Sequence, residues 1–309
     1  MSLRTKRAPF DRYRHPVAVS VALVTALLIG VFLWRRLLWR TVSVAAGPDP
    51  LFGSVLVGGL LTGSVFLAGL VLLTGAYTSA LGIDRGVALP DRTGLPAVGL
   101  AVVVPLAFVA ATKLVGVLTD VPYNSLTKTA VAAGASVRPV ALLAGLGLLI
   151  SVPTLCLVCQ VLVQGTFAQV VDGTEAVVLT TLVTGFAMTS TAGGLATVPD
   201  RGKLAGTALF AGLLCAGVYA ADYADGERLR ALGYVPAALF VAFVVVAGVA
   251  SVDSIAGGLF AVTQLAVLGI AAVTSDRTGS LLPPAFAYAT LLLANRLVVF
   301  VFEPGVQSW

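Results

Sequence analysis

The chain has 309 residues, of which 58% are hydrophobic and only 11% are charged, and its mean hydropathy is +1.01. Soluble globular domains carry about 25% charged residues, so this composition excludes a soluble globular protein and predicts an all-α, polytopic membrane protein. The net charge of +5 is not read as affinity for nucleic acid, because the basic residues cluster beside apolar runs, where they bind anionic lipid headgroups.

Residues 1–16 form a basic N-terminal tail, and residues 17–303 are predicted to form a single integral membrane domain. The first apolar run, 17–34, is longer than the hydrophobic region of a secretory signal, which has about 7–15 residues. The segment "WRRLLWR" follows it, where a signal would carry a small-residue cleavage site. We therefore interpret this run as a retained first span.

Apolar runs that approach or exceed the length needed to cross a bilayer, about 20 residues, recur along the chain. They occupy 17–38, 51–80, 96–118, 139–163, 174–197, 204–221, 232–251, 254–274 and 281–302. Only a short break at Asp253 separates the pair after 232, so the pattern predicts eight to nine spans. The distribution of basic residues predicts a multi-pass cell-membrane protein with a cytoplasmic N-terminus.

Charged residues inside spans are costly and are therefore candidates for function. Lys113 and Arg296 are the exceptions to an otherwise uncharged interior, and each lies close enough to a span end to extend to the headgroups. No carboxylate lies well inside a span, which argues against a proton-coupled transporter. Small-residue pairs, Gly59 with Gly63 and Gly202 with Gly206, predict close helix packing.

Polar residues on one helical face distinguish the stretch "LCLVCQVLVQG", residues 155–165. Cys156, Gln160 and Gln164 are spaced by four, so they share a face that we expect to point into the bundle. We interpret Cys156 and Cys159 as buried apolar fillers. A soft-metal site for Cu(I) with Met188 and a redox-active thiol pair are the alternatives. The single histidine, His15, precedes the first span and cannot build a zinc site alone.

Three stretches of this chain resemble the CAAX-protease and bacteriocin-processing (CPBP, or Abi) family of intramembrane peptidases. "LCLVCQVLVQG" is similar to a family helix that bears EExxxR, and "TLVTGFAM" at 181–188 is similar to "SLLFGLAH". "RTGSLLPPAFAYATLL" at 277–292 is similar to "RTGNLLxPIxxHxxxN", and "VPYNSLT" at 121–127 is also typical of the family. The resemblance covers about 80–300 and implies a CPBP-like helical core.

The catalytic residues of the family are substituted in this chain. The paired glutamates fall on Leu155 and Cys156 and the arginine falls on Gln160. The family's Phe and His of the second motif fall on Thr184 and Met188. In the third motif the His falls on Tyr288 and the Asn on Leu292. Because both members of the Glu–Arg pair are replaced, no buried charge is left unpaired, and the Tyr288 hydroxyl is expected to bond to Gln160 or Gln164.

The favoured hypothesis is a non-catalytic membrane binding or scaffold protein. Its contact surface would be the chamber face, defined as Cys156, Gln160, Gln164, Thr184 and Tyr288. The expected partners are the lipid bilayer and a membrane protein or a prenylated or signal-type peptide, without a metal or cofactor; the oligomeric state is left open.

Two alternatives remain. The first is an active intramembrane CAAX-type endopeptidase with displaced motifs, which would need zinc and one of the acids Glu175, Asp253 or Glu303. The second is a small-solute permease.

Overall fold

A computed structural model describes residue 10 and residues 13–46, 55–83, 86–87, 94–190, 193–224 and 226–305, and the structural statements below refer to these residues. Most of the predicted basic tail, 1–16, lies outside them. The described residues form a helical bundle, with one isolated β-bridge between Gly86 and Ser280. The predicted all-α class is therefore confirmed.

Twelve α-helices and one π-helical segment follow one another along the described parts of the chain. The α-helices are α1 (Pro16–Ala46), α2 (Val55–Leu81), α3 (Leu95–Leu118), α4 (Tyr123–Thr127), α5 (Val137–Leu155), α6 (Gly165–Phe167), α7 (Gly173–Met188), α8 (Arg201–Tyr223), α9 (Glu227–Gly233), α10 (Val235–Ala250), α11 (Ile255–Thr278) and α12 (Leu282–Phe302). The π-helical segment, Cys156–Gln164, joins α5 to α6 without a break. Helices α7, α8 and α11 begin at N-cap residues of the types that favour helix starts. The side chains of Asp172, Asp200 and Ser254 each accept a hydrogen bond from the backbone N–H three residues later.

Seven helical stretches in the described residues are long and apolar enough to cross a membrane, which confirms an integral, multi-pass helical protein. They are Pro16–Val42, Gly59–Leu81, Leu95–Leu118, Val140–Phe167, Arg201–Tyr223, Ile255–Thr278 and Leu282–Phe302. The predicted spans 174–197 and 232–251 correspond to the shorter apolar helices α7 and α10, which have 16 residues each. The predicted count of eight to nine spans is reached only if one or both of these shorter helices also cross the membrane.

Contacts between helix ends define how the helices run relative to one another. The start of α1 lies beside the end of α8, where His15 Nε2 is 2.8 Å from Asp222 Oδ2. Helix α7 runs antiparallel to α11, because Gly173 lies against Asp276 while Ser190 exchanges hydrogen bonds with Gln264.

Glycines in the bundle allow close approach of neighbouring helices. A Cβ on Gly63 would lie 2.5 Å from Ile150 of α5, and one on Gly206 would lie 2.8 Å from Phe186 of α7. Gly217 of α8 meets the backbone of α9, since its Cβ would lie 2.5 Å from the carbonyl oxygen of Gly233. The predicted packing role is confirmed for Gly63 and Gly206, whereas a Cβ on Gly59 would meet no atom within 4 Å among the described residues.

The π-helical segment lies in the centre of the bundle. It packs against α1, α2, α7, α11 and α12 as well as its neighbours in sequence. Eight of its nine side chains are buried, whereas the sequence pattern predicts only one inward stripe. This central position places Cys156, Cys159, Gln160 and Gln164 in the main hydrophobic core rather than at a lipid-facing surface.

Candidate functional site

The π-helical segment departs from α-helical hydrogen bonding at the residues that the sequence analysis singles out. At its end, the Gly165 N–H donates to the carbonyl of Gln160, five residues earlier. Backbone bonds of this length widen the helix and occur frequently at functional sites. Residues spaced by four, as Cys156, Gln160 and Gln164 are, still lie on neighbouring parts of the same face.

The core polar cluster, which consists of Cys156, Cys159, Gln160 and Tyr288, joins the π-helical segment to α12. The Gln160 side-chain N–H donates to the Tyr288 hydroxyl at 2.6 Å, and both side chains are completely buried. The Cys159 and Cys156 thiols lie close enough to this hydroxyl to interact with it electrostatically. The predicted bond between Tyr288 and a glutamine is confirmed for Gln160.

Gln164 makes a separate contact one turn further along the same face. Its side-chain N–H donates to the backbone carbonyl of Ala272 in α11 at 2.9 Å. The amide therefore ties the π-helical segment to α11, whereas Gln160 ties it to α12. Gln160 and Gln164 thus link the π-helical segment to α12 and to α11.

The two sequence-predicted residues of α7 are also buried, but their polar contacts are local. The Thr184 hydroxyl donates to the Thr180 carbonyl at 2.7 Å within the same helix, and Met188 packs in the hydrophobic core. Leu155 is completely buried, and Leu292 packs against the same core with part of its surface exposed. All seven positions on which the CPBP motifs were expected to fall therefore lie in or against one core, although direct polar contact links only the core polar cluster.

One side-chain carbonyl oxygen and one hydroxyl oxygen in this region have no hydrogen-bond partner among the described residues. They are Oε1 of Gln160 and Oγ1 of Thr180, and both are buried. Buried polar atoms are bonded in the great majority of cases, so each of these is a candidate contact for a donor or acceptor from a bound molecule. Thr180 is not identified by the sequence pattern, because threonines in spans usually bond to their own helix.

A second polar cluster, the Glu303 cluster, lies where α3, α4 and α12 meet. Glu303 follows the last residue of α12, and its carboxylate forms an ion pair with Lys113 of α3. The same carboxylate accepts the backbone N–H of Tyr123 at 2.8 Å and that of Asn124 at 2.7 Å. Lys113 therefore has a carboxylate partner within the protein, just after the end of α12, which the sequence analysis does not predict.

Tyr123 extends the Glu303 cluster into the bundle. Its hydroxyl donates to Oδ1 of Asn295 in α12 at 2.6 Å, and its ring meets Phe260 edge-on at 6.1 Å between centroids. Arg296, the other charged residue inside a predicted span, lies against α5 and donates to the Leu143 carbonyl at 3.4 Å. The sequence does not reveal the Glu303 cluster, because its members are about 180 residues apart.

The environment of Glu303 keeps its carboxylate ionised. Burial alone would raise the pKa of Glu303, but hydrogen bonds from Lys113, Asn124 and Tyr123 and the charge of Lys113 oppose that effect. The pKa of Glu303 therefore lies below its ordinary value. Removing one partner of such a buried pair would leave an uncompensated charge, which costs about 3–5 kcal/mol.

The three acids named for a peptidase lie at separate places. Glu175 is in the first turn of α7, Asp253 is exposed between α10 and α11, and Glu303 is held by Lys113. Among the described residues, no group of three or more His, Cys, Asp and Glu side chains is arranged to hold a metal ion.

An apolar groove of about 580 Å³ lies between α2 and α5. Its lining is Ser64, Leu67, Ala68, Val71, Leu72, Leu149 and Ile150. None of the chamber-face residues contributes to it.

No family model, no curated protein and no solved structure matches this chain. The resemblance to the CPBP peptidases thus rests on the quoted sequence stretches alone.

Proposed function

We propose that the protein is a non-catalytic, CPBP-like integral membrane protein that binds a membrane partner or acts as a scaffold for one. The observation that carries the proposal is the buried Gln160–Tyr288 hydrogen bond. These two positions correspond to a charged arginine and a metal-binding histidine in the motifs of the family, and here they form a neutral pair. Neutral groups at both positions remove the electrostatic basis for metal-assisted hydrolysis.

The bound partner would contact the chamber face. Gln160, Gln164, Thr184 and Tyr288 are uncharged hydrogen-bonding groups, which suits the backbone of a peptide better than a charged ligand. The unpaired Oε1 of Gln160 supports this choice, because a peptide N–H would supply the donor that it lacks. A membrane protein segment or a prenylated or signal-type peptide fits these requirements.

The proposed topology has nine crossings, with a cytoplasmic N-terminus in a cell membrane. The contact of His15 with Asp222 supports the number of crossings: α1 starts where α8 ends, and α8 has this direction if α7 crosses before it. The antiparallel contact of α7 with α11 and the stacking of Phe210 of α8 on Phe240 of α10 agree with this path. Short helices of 16 residues cross where the bilayer thins locally or where flanking residues extend to its surface.

Photo-crosslinking in membranes tests the proposed function. A prenylated peptide with a photoreactive group should be captured by the wild-type protein, and Gln160→Leu and Tyr288→Phe should lower the yield at least threefold. Tyr219→Phe is the matched control, because Tyr219 is exposed on α8. Equal yields for all four proteins would refute binding at the chamber face.

The same preparation separates binding from cleavage. The proposal expects the captured peptide to stay intact with or without added zinc. Cleavage that a chelator abolishes would replace the proposal by the peptidase alternative.

A further inference from the structure

Helices α5 and α12 meet along a seam in which they run antiparallel. Just beyond the end of α12, the Gly305 N–H donates to the Val131 carbonyl at 2.7 Å, shortly before α5 begins. Nearer the middle of both helices, Arg296 of α12 contacts Leu143 of α5. The core polar cluster lies further along the same two elements, where the π-helical segment continues α5. Arg296 therefore lies part-way along the seam, between the end of the bundle and its core.

Arg296 lies inside a helical stretch that is long and apolar enough to cross a membrane. It precedes Phe302, the last residue of α12, by six residues, which is about 9 Å of helix. On α5, its guanidinium lies at the level of Leu143 and Gly147, about 9–15 Å along the helix from Val137. Since the hydrocarbon core of a bilayer is about 30 Å thick, we expect this charge to lie below the level of the headgroups.

The absence of a side chain at Gly147 makes room for the guanidinium. A Cβ at Gly147 would lie 2.8 Å from Nη2 of Arg296 and 3.1 Å from Nη1. A Cβ at Gly145, two residues earlier in the same helix, would meet no described atom within 4 Å. The guanidinium therefore packs directly on α5 at the one position where a glycine accommodates it.

Most of the hydrogen-bonding capacity of Arg296 is unused within the described residues. Its hydrogen bond there is the contact of Nη1 with the Leu143 carbonyl at 3.4 Å, which is longer than the usual N–H···O distance of about 2.9 Å. The described part of the chain provides no carboxylate that pairs with it. Lys113, the other cation inside a predicted span, has Glu303. Because a guanidinium presents a planar fork of N–H donors, Arg296 can accommodate an anion from another molecule.

The surroundings of Arg296 on the outside of the bundle are apolar. Arg296 itself is partly exposed, and large apolar side chains near it on the two helices are exposed: Leu142, Leu143, Leu293 and Leu297. A small hydrated anion would lose its water among these side chains, which is costly. An acyl chain is compatible with them. The charge therefore favours an anionic group, and its surroundings favour an anionic group that belongs to a lipid.

We propose that Arg296 and Gly147 form a binding site for one anionic lipid, whose phosphate or carboxylate group enters the seam between α5 and α12. The guanidinium donates to two oxygens of that group, as the planar fork of arginine favours. The bound group neutralises a cation that is costly to leave alone at this depth. The site is separate from the chamber face and does not depend on the function proposed for it.

Lipid retention by the purified protein tests the site. The protein is reconstituted with equal amounts of anionic phosphatidylglycerol and neutral phosphatidylcholine and transferred to a neutral detergent, and native mass spectrometry counts the lipids that stay bound. The wild type should retain one phosphatidylglycerol with at least a tenfold preference, and Arg296→Gln should abolish the preference. Arg138→Gln is the matched control, because Arg138 is exposed in the first turn of α5, and it should keep the preference. Equal losses in both variants, or no loss in Arg296→Gln, would overturn the site.

Two glycine substitutions test the position of the guanidinium without removing its charge. Gly147→Ala must displace the guanidinium from α5 and should lower the retention of phosphatidylglycerol at least threefold. Gly145→Ala adds the same methyl group in open space and should retain as much lipid as the wild type. Equal retention by the two variants would show that the lipid does not bind where Arg296 meets Gly147.

Inorganic phosphate distinguishes a lipid from a free anion as the ligand. An excess of phosphate in the detergent solution should leave the phosphatidylglycerol bound, whereas oleate, which carries a carboxylate on an acyl chain, should displace it. Displacement by phosphate as readily as by oleate would identify a site for a free anion and would overturn the lipid proposal.

Discussion

The hydrogen bond between Gln160 and Tyr288 joins side chains that are 128 residues apart in sequence. Tyr288→Phe would leave the whole Gln160 amide without a partner in a buried site, and we expect a loss of about 1–3 kcal/mol of stability. Gln160→Leu combined with Tyr288→Phe should cost less than the sum of the two single changes, because both partners are then apolar. Equilibrium unfolding in mixed micelles measures the free energy of unfolding of the two single variants and the double variant. If the two single losses add up to the loss of the double variant, the Gln160–Tyr288 hydrogen bond is contradicted.

Glu303 gives the protein a predictable response to acid. The pKa of Glu303 is lowered in the folded protein. The contribution of Glu303 to the free energy of unfolding is therefore fully present above its pKa in the unfolded chain, about 4.3. This contribution is lost as the pH falls through the lower pKa of the folded protein. Glu303→Gln should therefore destabilise the protein by about 3 kcal/mol at pH 7, with a difference that narrows below about pH 4. The same unfolding assay across pH 3.5–8 checks this, and a difference independent of pH would contradict it.

At the scale of helices, the contact between Gly217 and Gly233 requires the absence of a side chain. Gly217→Ala places a Cβ 2.5 Å from a backbone oxygen, so α8 and α9 must separate, and we expect a loss of about 1–3 kcal/mol. Gly212→Ala in the same helix meets no described atom within 4 Å and should be neutral or slightly stabilising. Thermal unfolding of the two variants makes the comparison, and equal midpoints would argue against the contact.

Helical periodicity predicts most of the elements, but not their local geometry. The polar spacing of Cys156, Gln160 and Gln164 indicates an inward face, and the structure places all three inside. The spacing does not reveal that the segment is π-helical. Whether a backbone N–H bonds to the carbonyl four or five residues earlier depends on how the surrounding helices pack. The ion pair of Lys113 with Glu303 escapes prediction for a related reason: Glu303 follows α12, about 190 residues away in sequence, and no local pattern connects the two residues.

For the whole molecule, the proposed nine crossings would place the two ends of the sequence on opposite sides of the membrane. Single cysteines introduced at Ser2 and Ser308 in a protein without native cysteines should react with an impermeant maleimide from opposite sides of sealed vesicles. An even number of crossings would place both on the same side. Labelling of both sites from one side would therefore contradict the proposed path of α7 or α10.

The position of Glu303 also bears on the order in which the protein matures in the membrane. The N–H groups of Tyr123 and Asn124 are separated from the carboxylate that receives them by about 180 residues. During synthesis the early helices must therefore insert while their connecting segment still lacks its final anchor. These two hydrogen bonds form only after α12 and Glu303 have been synthesised, so a chain that stalls before residue 303 would leave the Tyr123 and Asn124 N–H groups without this acceptor.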